Sequence, residues 1–176
     1  MQALFQLGTL YKEGKEVAQD YKEAAKWMRM AAEQGHTQSQ CYLGLFYDEG
    51  LGVPQDYKEA FKWYKMAADQ GNADAKFYLG FLYDDGLGVP QDYTEAMKWY
   101  LLAAEQNHAQ AQYNIGVLYN DGRGVEKDYK EAVKWFRLAA EQGHVDAQQN
   151  LKLLMEEGNH SSRSFKLRKS KKVRLR

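Results

Sequence analysis

The sequence predicts an all-α fold: a right-handed α-solenoid of about four 36-residue helix-turn-helix repeats plus a C-terminal capping helix. Three observations carry this expectation. Trp27, Trp63, Trp99 and Trp135 stand 36 residues apart, and thirteen of the 36 columns hold one residue in all four copies. Apolar residues inside each copy recur at helical spacing rather than in the alternation of a strand. The string GLGVPQDY at 50–57 returns at 86–93, with GRGVEKDY at 122–129, so one turn signal punctuates successive copies. Self-similarity at such a period marks stacked repeats.

Each copy reads as two helices. In the third, Ala75, Tyr78, Leu79, Leu82 and Tyr83 fall at i, i+3, i+4, i+7 and i+8, one face of a first helix. Gly86 and Gly88 stop it, because glycine accepts the positive φ that ends helices. Pro90 stiffens the loop, and Asp92 opens the second helix as an N-cap with Glu95 as a capping-box partner. Ala96, Trp99, Tyr100, Ala103 and Ala104 form the apolar face of that helix. Gly35, Gly71 and Gly143 close the second helix elsewhere, and Asn107 takes that place in the third copy. Gly44, Gly80 and Gly116 sit in mid-helix, where each costs roughly 1 kcal/mol against Ala, so they are expected to admit a neighbouring helix at short range. One such unit cannot bury its apolar face alone, and adjacent units must stack.

The repeated loop is therefore structural. A phosphate-cradling glycine loop follows a strand, and an EF-hand loop needs alternating oxygen ligands and a twelfth-position Glu. The string offers neither.

Together these residues resemble the Sel1-like repeat, a relative of the tetratricopeptide repeat with a longer inter-helix loop. The residues that carry the resemblance in the third copy are Ala75, Leu79, Gly80, Tyr83, Gly86, Gly88, Val89, Asp92, Ala96, Trp99, Ala103 and Ala104. It implies one repeat domain over 1–157, with repeats at about 1–36, 37–72, 73–108 and 109–144 and a half repeat at 145–157. Three departures stand out. Glu16 replaces the second loop glycine of the first copy, where a looser turn is expected. The half repeat carries Lys152 for the mid-helix glycine and Met155 for the tyrosine, in the manner of a terminal cap. The first repeat begins with the chain, so either that end is an open face or the array continues in a longer protein.

The resemblance implies adaptor work, a non-catalytic scaffold that binds a protein or peptide. Relatives with a cysteine pair in each repeat have been described as β-lactam-binding, and that property does not carry over to a chain whose only cysteine is Cys41. In a stacked solenoid the first helices line the concave surface. Cys41, Leu45, Phe77, Phe81, Tyr113 and Val117 form a stripe there, flanked by Tyr42, Tyr78 and Asn114. The stripe reads either as a peptide groove or as packing between first helices. Cys41 reads as a small buried residue, since no cationic neighbour is in view to activate it.

No catalytic constellation emerges, and no cofactor, metal or small-molecule substrate is expected. His36, His108 and His144 share one column, but stacked helices lie about 10 Å apart, too far to share a metal with bonds of ~2 Å. The acidic pairs 48/49 and 84/85 end first helices at a turn. No serine sits in a nucleophile elbow.

Charge divides the chain. Residues 158–176 carry eight Arg or Lys and no acid, leaving 16 basic against 24 acidic residues in 1–157. That segment should be disordered alone. Its Arg168, Lys169, Lys171, Lys172, Arg174 and Arg176 suit nuclear import through an importin or docking on anionic lipid or nucleic acid. The alternative function is thus a nucleic-acid- or membrane-associated factor tethered by its tail. No stretch approaches the ~20 apolar residues of a membrane span, and the first residues lack the basic and apolar regions of a signal peptide. A cytoplasmic location is expected, nuclear if the tail directs import.

Overall fold

A computed structural model describes residues 1–157, and among them nine helices and no strand occur. The helices are α1 (Gln2–Glu13), α2 (Tyr21–Glu33), α3 (Thr37–Glu49), α4 (Tyr57–Asp69), α5 (Ala73–Asp85), α6 (Tyr93–Ala104), α7 (Ala109–Asp121), α8 (Tyr129–Glu141) and α9 (Val145–Glu157). Odd-numbered helices are the first helices of each repeat, and the architecture is the all-α solenoid with a terminal helix that the periodicity predicts. Packing divides the chain into two compact units, Met1–Gln91 and a second from Asp92 onward.

Every second helix begins the same way. The Oδ1 atoms of Asp20, Asp56, Asp92 and Asp128 each accept from two backbone N–H groups of the first turn, at 2.8–3.1 Å. The capping box is not closed, which corrects the expected role of the glutamate. The N–H of Asp20, Asp56 and Asp128 donates instead to the carbonyl of Tyr11, Tyr47 and Tyr119 at 2.9–3.0 Å. With that donor taken, Glu23, Glu59 and Glu131 turn outward to Lys26, Lys62 and Lys134 one turn along, and Glu95 pairs with Lys98 in the same way. Exposed pairs of this kind contribute little; the backbone bond ties the two helices of a repeat together.

First helices end at Gly14, Gly50, Gly86 and Gly122, each left-handed with φ near 70°. The second loop glycine is left-handed too, and it has a further reason to be glycine. A Cβ on Gly52 would stand 2.1 Å from the carbonyl oxygen of Tyr21, in the repeat before it. Gly88 meets Tyr57 and Gly124 meets Tyr93 in the same way, within 2.7 Å. The loop of one repeat thus rests on the start of the preceding second helix. Glu16, the first-repeat counterpart, has no positive φ and is exposed, so that loop follows a different path there. Asn107 is the one described non-glycine residue at positive φ, 59°, as its place among Gly35, Gly71 and Gly143 requires.

In the first unit α1 packs on α2, α2 on α3, α3 on α4 and α4 on α5. Its core joins Ala24, Ala25, Met28 and Phe46, with Phe5, Tyr11 and Tyr42 against them, and a second cluster sets Leu43 between Ala32 and Trp63. In the second unit α7 packs on α6 and α8, and α9 on α8. Tyr113, Ala132, Phe136, Ala139 and Ala147 form that core.

The mid-helix glycines act within a repeat. A Cβ on Gly44 would lie 2.6 Å from the ring of Tyr64, and one on Gly116 would lie 2.7 Å from the ring of Phe136. Gly8 meets Met28 at 2.9 Å. The side chain that fills this place is therefore the one after the tryptophan.

Gly44→Ala sets a propensity gain of roughly 1 kcal/mol against overpacking of about 1–3 kcal/mol. Because Tyr64 is wholly buried and its ring has little room to move, the variant should lose stability in urea melts, against the helix-propensity order.

Candidate interaction surface

The predicted stripe lies on the first helices, and burial sorts it. Cys41, Leu45, Phe77, Tyr78 and Tyr113 are all buried, none more than 4% exposed. Phe81, Asn114 and Val117 are half-buried, as is Tyr42. Of the two readings of the stripe, packing describes the five buried residues, and partial access remains at Phe81, Asn114, Val117 and Tyr42. Phe77 and Tyr113 pack inward, and one turn later Phe81 and Val117 keep partial access, whereas Leu45 in their column is buried. Val117, for instance, packs against the core of the second unit with part of its surface outside. Cys41 is fully buried, and burial pushes its thiol well above the usual range, with the Asp74 carboxylate adding to the rise. It is a packing residue.

Beneath this surface in the first unit lies a buried polar pair. The Tyr64 hydroxyl donates to Asp48 Oδ2 at 3.1 Å, and the Tyr64 ring stacks on Tyr78 at 4.8 Å. Burial first, and the Asp48 charge second, raise the Tyr64 phenol. Repeat four carries Asn120 and Phe136 at the same two places. Phe136 has no hydroxyl, and the buried Asn120 Oδ1 is left without a hydrogen-bond partner. The Asn120 amide donates to Asp121 instead, at 2.9 Å. Nearby, Asn150 Nδ2 donates to the Tyr113 hydroxyl at 3.1 Å, and burial raises that phenol to about 12.

The histidine column has a structural use that sequence reading missed. His36, Asn72, His108 and His144 are the N-caps of α3, α5, α7 and α9. His36, His108 and His144 accept through Nδ1 at 3.2 Å, Asn72 through Oδ1 at 2.7 Å. Asn in that column was the available signal, since Asn is a preferred cap. The caps also join a glutamine network between a first helix and the turn that leads into the next one. Gln70 donates to Gln40 Oε1 at 2.6 Å and Asn72 to Gln38 Oε1 at 3.2 Å. In the second unit Gln142 donates to Gln112 at 2.7 Å, and His144 Nε2 meets Gln110 Oε1 at 2.9 Å. Desolvation lowers His144, with Asp146 opposing it. Desolvation also lowers His36, and the N-terminal ammonium adds to the effect.

A second missed feature lies on the second helices. Met30, Met66, Leu102 and Leu138 occupy one column and are 39–43% exposed. Their agreement in register, away from the Ala and Trp face, was the signal. Among the described residues no group of three or more His, Cys, Asp or Glu is placed to hold a metal ion. No described helix is long and apolar enough to cross a membrane. Arg168, Lys169, Lys171, Lys172, Arg174 and Arg176 lie outside the described residues.

The family model of the Sel1 repeat matches residues 2–36, 37–72, 73–108 and 109–144. The chain belongs to the Sel1 repeat family. Sel1 repeat proteins are generally protein-interaction scaffolds and typically non-catalytic. Among solved structures, this Sel1 chain is similar to c5321, a protective antigen present in uropathogenic Escherichia coli strains. The identity is 43% and the TM-score 0.85, over 89% of this chain and 34% of that one. A Sel1 repeat protein from Oxalobacter formigenes is 39% identical with a TM-score of 0.85, over 89% of this chain and 64% of that one. Helicobacter pylori cysteine rich protein B is 25% identical with a TM-score of 0.58, over 72% of this chain and 96% of that one. The chain thus spans about a third and just under two-thirds of the first two. No curated protein matches it.

Two outcomes follow. Phe136→Tyr supplies the donor that Asn120 Oδ1 lacks, and urea melts should show a gain of about 1 kcal/mol. For His36 and His144 the folded state favours the neutral ring, so the unfolded chain binds protons more readily. Stability from these caps is complete above the ordinary histidine value and is lost as pH falls below it. Melting temperature should drop over that range, and His36→Asn with His144→Asn, the cap already used at Asn72, should flatten the slope.

Proposed function

We propose that this Sel1 repeat chain is a non-catalytic scaffold that binds an extended or helical segment of another protein on the first-helix face. The half-buried apolar side chains of Phe81, in the first unit, and Val117, in the second, support the reading, and Tyr42 and Asn114 are half-buried as well. Partial access gives each an apolar contact to offer, while the buried residues beneath hold it in place. Anchors of this kind, aromatic or aliphatic and set in a rigid surround, carry most of the energy of peptide recognition. The family's general role in protein interaction supports the same reading.

A peptide library displayed on phage and selected on the full chain tests it. Phe81→Ala with Val117→Ala should weaken the selected peptides by about tenfold or more, since losing two anchors at about 1 kcal/mol each is sufficient. Melting should stay close to that of the native chain. Peptides that ignore this variant but respond to Met66→Ser would move the site to the second helices. Peptides lost only when 158–176 is removed would assign binding to the basic segment.

A further inference from the structure

In repeats one, two and four the second helix is seated by one close contact. Met28, Tyr64 or Phe136 lies on Gly8, Gly44 or Gly116, where a Cβ would stand 2.9, 2.6 or 2.7 Å away. Lys152 of α9 occupies that glycine's column. Around it the face stays partly apolar: Ala140, Leu151 and Met155 line a groove on α8 and α9, with Gln148, Lys152 and Glu156 at its polar edge. Leu43, Leu79 and Ile115, the counterparts of Leu151, are wholly buried, whereas Leu151 is half-buried. The Lys152 side chain is 76% exposed and pairs with Glu156 at 3.8 Å.

We propose that Lys152 closes this groove to helices of the repeat type, so that α9 does not capture the second helix of another copy of the chain. The block is steric. A ring arriving in the register of Phe136 meets the Lys152 Cβ inside van der Waals contact, and the incoming helix loses its anchor. The apolar lining makes such a block useful, since a heterologous contact between copies grows into open filaments wherever its rotation does not close a ring.

A fluorescein-labelled peptide of residues 122–144, the loop and second helix of repeat four, is titrated against the full chain by fluorescence anisotropy. Lys152→Gly should bind it at least about tenfold tighter than the native chain. Lys152→Ala removes the charge and the Glu156 pairing but keeps a Cβ, and should gain far less. Equal affinity of the native chain and Lys152→Gly, or a full gain from Lys152→Ala, overturns the proposal. Glycine weakens a helix, so hydrogen exchange of the α9 amides checks that the helix persists in that variant. Should it fray, Lys152→Ala decides alone: the same peptide carrying Phe136→Ala must bind it more tightly than the unaltered peptide. The reverse order overturns the steric block.

Discussion

Tyr64 on Gly44 and Phe136 on Gly116 bring the two helices of a repeat closer than any side chain at the glycine would permit. The geometry of the rest follows from that approach. It lets the carbonyl of Tyr47 or Tyr119 reach the N–H of the capping aspartate, so the loop closes with its backbone satisfied. It also presents the alanine pairs of the second helix to the next first helix, where Ala32 meets Leu43. Burial of a ring is worth a few kcal/mol, against roughly 1 kcal/mol for placing glycine in a helix, so the exchange favours the packed repeat.

Most of this architecture was legible because it repeats. A column that holds one residue four times states its constraint without a structure, as the first loop glycine and the capping aspartate do. Local chemistry, however, underdetermines partner choice. Glu23 has the spacing of a capping box, yet the donor it would take is held by a carbonyl from another helix, and periodicity within one helix contains no trace of that bond. The spacing of the mid-helix glycine announces a close helix but does not name the side chain that lies over it. In the structure it is the residue after the tryptophan, varied among Met, Tyr and Phe, that fills the place.

The candidate surface was legible in outline only. Helical spacing locates Cys41, Phe77 and Tyr113 on one side of their helices, but it does not say whether that side meets solvent or protein. Burial is a tertiary quantity, and it removes those three while leaving Phe81 and Val117 with partial access. The histidines show the converse. A column of His invites a search for metal or acid–base chemistry, whereas each ring accepts one backbone N–H at the start of a helix. The asparagine in the second copy performs the same task with a side chain that does not titrate.

Beyond its own left-handed backbone, Gly52 is shaped by Tyr21 of the repeat before it, and Gly124 is likewise shaped by Tyr93. A 36-residue cassette thus carries a socket for its successor together with the plug for its predecessor. Tandem duplication copies both halves of the joint at once. Array length can then drift by whole cassettes during evolution, with no new fit to be found at the splice.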